Sequence, residues 1–285
     1  MPPVDSPDPT DAPAPINTEA IERARRQRIL AWVMPAGTMI AAIALWEWWV
    51  WAYDIPHYLV PAPSRIAQTL WTDGPSLLVS AWFTVKLTVM ALALAVIGGV
   101  TLGALFALSR PVEMSLFPFA VILQVTPVVA IAPLILIYVN STFAALLICA
   151  WIVAFFPILS GTVIGLRSAD HNLRDLFTLY RATPWQRLRF LLAPSALPYF
   201  MASLKVAGGL ALIGAVVAEF VAGTTGRNTG LASRIIESSF RNEIPRMFAA
   251  LTLVSLLGIV IFALTSWASR RVLGRWHESE IRREG

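Results

Sequence analysis

MSLFPFAVILQVTPVVAIAPLILIYVNSTFAALLICAWIVAFFPILSGTVIGL, residues Met114–Leu166, runs for 53 residues without a charge. A helix needs about 20 apolar residues to cross a hydrocarbon core. The stretch is too long for one crossing and suits two, with the break at Asn140-Ser141. Working outward, 18 uncharged residues separate Arg28 from Glu47, and 23 separate Lys86 from Arg110. Another 23 run from Met247 to Ser269. Val206–Ala218 extends back through Pro194–Leu204 with only Lys205 inside it. These runs predict an all-α integral membrane protein with six transmembrane helices, at about 29–53, 82–108, 115–139, 142–166, 195–221 and 247–269.

Composition agrees. Of 285 residues, 57% are hydrophobic and 14% charged, and the mean hydropathy is +0.67. Soluble domains are near a quarter charged. The net charge of +5 sets no nucleic-acid site, because the basic residues follow the membrane pattern. Cys149 is the only cysteine, which excludes a disulfide framework and a cysteine-rich metal site. His57, His171 and His277 all fall outside the spans, so no catalytic constellation and no metal cluster is expected.

Segments 1–28, 109–114, 167–194 and 270–285 hold 15 of the 22 basic residues. That asymmetry places both termini in the cytoplasm. Residues 1–28 read as a disordered tail, rich in proline, with the basic flank Arg23, Arg25, Arg26 and Arg28. Residues 54–81 read as an extracytoplasmic segment carrying a surface helix. There Ser64 is the expected N-cap, with Ile66, Ala67, Leu70 and Trp71 on one face. A second surface helix at about 230–243 turns Leu231, Ile235, Ile236 and Phe240 to one side. Residues 82–269 form the core and 270–285 a basic tail. Trp46, Trp48, Trp49 and Trp51 around Glu47 read as an interfacial belt.

Loop 167–193 is patterned. Leu173, Leu176, Phe177 and Tyr180 sit at i, i+3, i+4 and i+7, an amphipathic helical stripe. Thr183-Pro184-Trp185-Gln186 reads as a capping box opening a second helix, which Ala193-Pro194 should end. Periodicity alone allows a helix pair lying on lipid or a docking element for a cytoplasmic partner.

The stretch DLFTLYRATPWQRLRFLLAPSALP, Asp175–Pro198, resembles the EAA loop of binding-protein-dependent ABC importer permeases. SLKVAGGLALIGAVVAEF, Ser203–Phe220, continues the likeness. Pro63-Ser64, Leu108-Ser-Arg-Pro111, Gln124-Val-Thr-Pro127 and Ala132-Pro133 are also similar to this family. The resemblance covers about residues 60–277. It points to the nitrate, sulfonate and taurine branch that also takes thiamine-pyrimidine precursors, and Leu179–Thr183 looks closest to the pyrimidine-precursor side.

It implies a type I importer permease fold with cytoplasmic coupling helices. An ATPase would dock at Asp175, Leu176, Phe177, Tyr180, Arg181 and Thr183. It further implies an ATPase dimer, a second permease copy, an external solute-binding protein and a place in a bacterial inner membrane. The sequence departs from the family in three places. Asp175 replaces a glutamate, Leu176-Phe177 replace two alanines, and Arg181 stands where glycine is usual. The turn therefore cannot rest on glycine's access to positive φ.

Neither lysine, Lys86 or Lys205, follows a glycine, so no phosphate-cradling G-x-x-x-x-G-K-[ST] loop exists. The chain is expected to need no cofactor, with ATP bound by the partner. Glu219, Gly208 and Gly214 are candidates for the translocation pathway, since intramembrane ionisable groups are functional candidates. Glu219 could equally pair with a helix end or with Lys86. Gly208, Gly209, Ala211, Gly214, Ala215 and Ala218 suggest a small-residue face for a second copy. An ion-gradient-driven secondary transporter is the alternative, but no internal repeat supports it.

Overall fold

The computed structural model describes residues 18–223 and 229–274, and among them every regular element is helical. The proposed disorder of the first residues falls largely outside that range, as do Arg227 and His277. Residues Pro56–Gly285 form one compact unit, and Met1–Ile55 form a separate one. The latter carries α1, Thr18–Ala52, with Pro35 inside it. Its apolar part is Val33–Ala52. The helix therefore begins well before its apolar window, and the basic flank belongs to it.

The larger unit opens with α2 (Pro63–Thr72) and α3 (Gly74–Leu108). Pro63 takes the first helical position, where a missing N–H costs nothing. Ala62 is thus the N-cap, not Ser64. Of the expected apolar face of α2, Ile66 is buried but Trp71 is 88% exposed. At 35 residues, α3 is about 52 Å long, well beyond the roughly 30 Å of a hydrocarbon core.

The third span differs most from expectation. In place of one helix over 115–139 there are two, α4 (Arg110–Val125) and α5 (Val128–Tyr138), bent by 101°. Their 16 and 11 residues give about 24 and 16 Å, so neither crosses alone. Pro127 causes the break. It has no N–H to donate, and it drives Thr126 to an extended φ of −72° and ψ of 121°. The Thr126 N–H and hydroxyl both donate to the Ile122 carbonyl, at 3.1 and 2.7 Å, closing the last turn of α4 before the bend.

Helix α6 (Thr142–Arg167) is the axis of the unit, with half of its apolar window buried. It packs along α3 and along the fifth span. Small residues allow this. A Cβ on Gly99 or Gly103 of α3 would lie 2.7 Å from Ile158 or Thr162. On its other side, a Cβ on Gly165 would lie 2.8 Å from the Ala196 backbone. These are G-x-x-x-G pairs, Gly99/Gly103 and Gly161/Gly165, of the kind that lets backbones approach.

The loop contains α7 (His171–Leu179) and α8 (Pro184–Arg187). Contrary to expectation, Ala193-Pro194 does not end the second loop helix. A π-helical stretch, Leu188–Leu192, joins α8 to α9 (Ala193–Ala222) in one continuous rod from Pro184 to Ala222. Helices α10 (Leu231–Phe240) and α11 (Ile244–Leu273) complete the unit. The buried side of α10 is Leu231, Ala232, Ser233 and Ser238, while Phe240 is 87% exposed.

Candidate functional site

The loop between α6 and α9 is held in one shape by bonds at every joint. The Asp170 carboxylate caps α7, accepting from the backbone N–H of Asn172 at 2.7 Å and of Leu173 at 3.3 Å. The other end of α7 is a Schellman turn. The Ala182 N–H donates to the Phe177 carbonyl and the Arg181 N–H to the Thr178 carbonyl. Arg181 has φ +51°. The sequence offers no glycine for this turn, and the arginine itself adopts the positive φ. A non-glycine residue there costs about 1–2 kcal/mol, which the two turn bonds and the next cap offset.

That cap is the capping box at Thr183. The Thr183 N–H donates to Gln186 Oε1 at 2.8 Å, and the Gln186 N–H donates to the Thr183 hydroxyl at 3.3 Å. Arg174 ties α7 to the end of α6, donating from Nη2 to the carbonyls of Leu166 (3.1 Å) and Arg167 (2.8 Å). Arg187 ties α8 back to the Thr178 hydroxyl at 2.8 Å. Glu113, at the start of α4, pairs with Arg167 at the end of α6.

This braced loop turns its apolar side chains outward. Leu173 and Leu176 are about half exposed, and Leu179, Tyr180, Trp185 and Phe190 more so. No residue of α7 is buried. Phe177 sits half-buried in a groove of ≈ 380 Å³ between the two loop helices, shared with Leu176, Tyr180, Gln186 and Phe190. Asp175 stands exposed beside the groove, without an ion-pair partner among the described residues. The structure thus gathers Asp175, Leu176, Phe177, Tyr180, Arg181 and Thr183 on one protruding element. The Asp170 cap went unread, although an aspartate directly before an apolar-periodic run is a start signal.

Glu219 lies elsewhere. It is 1% exposed and sits under the N-terminus of α10. The Thr84 hydroxyl donates to Oε1 at 2.8 Å, and the Ala232 N–H donates to Oε2 at 2.9 Å. The Leu231 N–H donates to the Thr84 oxygen at 3.0 Å. Gly230, the N-cap of α10, has no side chain to offer, and a Cβ there would stand 2.1 Å from Glu219 Oε1. The carboxylate therefore caps a helix 12 residues along the chain. Lys86 is not its partner: its ammonium lies 5.3 Å over the Phe143 ring.

Gly208 and Gly214 are consumed in packing. A Cβ on Gly208 would meet Ile261 and Thr265 of α11 at 3.1 and 3.2 Å, and one on Gly214 the Ala150 backbone of α6 at 3.0 Å. Ala211, Ala215 and Ala218 are fully buried. The small-residue face of α9 is thus spent inside one chain, and only Gly209 meets open space. The opposite face, Val206, Ile213 and Phe220, stays exposed.

A bent span, a central helix packed between two neighbours and a hydrogen-bonded loop between spans describe a polytopic helical membrane protein. Residues 99–274 match the binding-protein-dependent transport system inner membrane component family, and the chain belongs to that family. It is similar to the riboflavin transport system permease protein of Chloroflexus aurantiacus, 31% identical over 250 residues, covering 85% of this chain and 89% of that one. It is 33% identical over 209 residues to a formylaminopyrimidine transport permease protein of Halalkalibacterium halodurans, covering 72% and 81%. Its fold is similar to the permease in an inward-facing MetNI methionine ABC transporter, with a TM-score of 0.60 at 18% identity over 72% of this chain and 98% of that one. The chain is a multi-pass inner-membrane permease subunit of an ABC importer for small solutes, in a family whose ATPase is a separate subunit.

Proposed function

We propose that two copies of this chain form the pathway of the importer, with an ATPase dimer docked on α7 and α8 and a solute-binding protein on the opposite face. The observation that carries the docking reading is the braced, outward-facing apolar loop. Exposed Leu, Tyr, Trp and Phe on a rigid element are the usual anchors of a protein interface. Rigidity lets a push on the loop reach the spans. ATP is the partner's ligand, and this chain performs no hydrolysis and carries no cofactor, in keeping with its lack of a phosphate-cradling loop.

Both termini lie in the cytoplasm, as the asymmetry of basic residues indicates. The second copy packs against the exposed face of α9 at Val206, Ile213 and Phe220. The solute is a flat heterocyclic vitamin or vitamin precursor, by similarity to the riboflavin and formylaminopyrimidine permeases. A nitrate- or sulfonate-sized anion is the smaller alternative of the branch. Glu219 holds the outer helix α10 in place and does not touch solute.

Replacing Leu176 and Phe177 by aspartate tests the docking reading. The double variant should insert normally, lose its co-purifying ATPase and stop transport. Retained ATPase binding would sink the assignment. For topology, a cysteine at Phe240 in a Cys149→Ala background should label from outside the cell. Labelling from the cytoplasm alone would invert the orientation.

A further inference from the structure

A second cavity lies between the loop and the span ends, sharing Ala182 with the groove around Phe177. It measures ≈ 470 Å³. Its apolar walls are Leu108 at the end of α3, Leu166 at the end of α6, and Leu191 and Leu192 in the π-helical stretch. Arg174 and Arg187 line the same cavity.

Both guanidiniums are only partly engaged. Each uses Nη2 alone, Arg174 on two carbonyls and Arg187 on the Thr178 hydroxyl. The Nε of each is buried without an acceptor. Neither meets a carboxylate within ion-pair reach among the described residues. Arg167, Arg234, Arg241 and Arg246 of the larger unit each face an acid, whereas Arg174 and Arg187 pair a buried, unpartnered Nε with a place in the same cavity. Two half-buried cations sharing an apolar-walled cavity call for an anion, because an unpaired charge away from water is costly.

The position selects the anion. The cavity sits where three spans end, which in a membrane-embedded chain is where lipid headgroups lie. Basic pockets between span ends recognise phosphate headgroups, with the acyl chains lying along the helices. Guanidinium forks match phosphate oxygens in pairs. We propose that Arg174 and Arg187 hold the phosphate of an anionic phospholipid. The bound lipid fastens the loop to the span ends, since Arg174 also caps α6 and Arg187 also grips α7. Inorganic phosphate offers the same group without the chains. The site rests only on the chain being embedded in a membrane, not on the docking reading.

The test uses the delipidated full chain in mild detergent, with binding read by native mass spectrometry and thermal unfolding. Wild type should bind phosphatidylglycerol in preference to phosphatidylcholine. Arg187→Gln should weaken that binding about fivefold, the contribution of one basic side chain at a membrane surface. Arg189→Gln, on the same loop but outside the cavity, should leave it unchanged. Leu192→Trp keeps both arginines and fills the cavity, so it should exclude the lipid even where Arg187→Gln folds poorly. Stabilisation by sodium phosphate that Arg187→Gln abolishes, with no preference between lipids, would assign the same chemistry to free phosphate. Equal losses in Arg187→Gln and Arg189→Gln, or no preference for either phosphate source, would overturn the site. So would Arg187→Gln shedding the ATPase while binding lipid as before.

Discussion

Replacing Glu219 by alanine should unfasten α10 from the bundle. The side chain accepts one bond from the Thr84 hydroxyl and one from the Ala232 N–H, both in a fully buried setting. Thr84 can fall back on the Ser80 carbonyl at 3.3 Å, but the Ala232 N–H is a first-turn donor with no other acceptor. Leaving a buried donor unmade costs about 1–3 kcal/mol, so the Ala232 N–H supplies about 1–3 kcal/mol and the Thr84 hydroxyl less, because the Ser80 carbonyl takes it up. Native domains hold only about 5–15 kcal/mol in all. Glu219→Gln should keep most of the loss, since its amide keeps an acceptor for Thr84 but sets a donor against Ala232. Gly230→Ala alone should also destabilise, because its Cβ would stand 2.1–2.2 Å from the carboxylate. Combined with Glu219→Ala, the new methyl fills the vacated space. The double variant should therefore lose at least about 1 kcal/mol less than the sum of the singles. Thermal unfolding of the full chain in detergent measures the cycle, and hydrogen exchange at Ala232 localises it. Additive losses, or unchanged protection at Ala232 in Glu219→Ala, would refute the cap.

Other expectations follow from single contacts. Arg181→Gly should stabilise the loop by up to about 1 kcal/mol, because the left-handed strain outweighs the extra freedom glycine gives the unfolded chain; a lower unfolding temperature would show that the arginine side chain matters more than its φ of +51°. Gly161→Ala should force α6 from α9, its Cβ falling 1.7 Å from the Ser203 hydroxyl oxygen, and Ser203→Gly should restore most of the roughly 1–3 kcal/mol lost. The hydrogen bond from Arg234 holds the Glu237 carboxyl below its ordinary value, helped by the charges of Arg234, Arg241 and Arg246. A lowered folded value means this contribution is present above the usual glutamate pKa of about 4.3 and is lost as pH falls through the folded value. Glu237→Gln should accordingly lower stability slightly at neutral pH, flatten the acid limb of the stability curve, and leave stability below the folded value nearly unchanged.

The spans were legible because charge-free length is a property of sequence alone, and a boundary such as Asn140-Ser141 falls in the gap between α5 and α6. The capping box at Thr183 was legible for the same reason, as a local pattern satisfied by local bonds. The bend at Pro127 left a readable trace, but hydropathy is blind to direction, so a broken span counts like a straight one. The fate of the small residues on α9 was not readable. Gly208 and Gly214 would look the same whether they faced a second copy, a pore or the α11 and α6 they touch. Glu219 needed a partner from α3 and a helix end from α10, brought together only by the fold.

These long-range bonds bear on how a push at the loop could reach the far side of the membrane. From Pro184 to Ala222 the chain is one helical rod, without the break expected at Ala193-Pro194. Its 39 residues span about 58 Å at 1.5 Å each. One end begins at the Thr183 cap beside the groove around Phe177, and the other carries Glu219 under α10. A rod cannot be displaced at one end without moving the other, whereas two helices meeting at a hinge could absorb the motion between them. Glu219 then makes α10 a passenger of the rod, because its first-turn N–H is fixed to that helix. Besides Pro198, the soft place along the rod is the π-helical stretch at Leu188–Leu192, where hydrogen-bond geometry is looser. That stretch adjoins the cavity of Arg174 and Arg187, so an anion bound there would stiffen the rod at a point where it could yield.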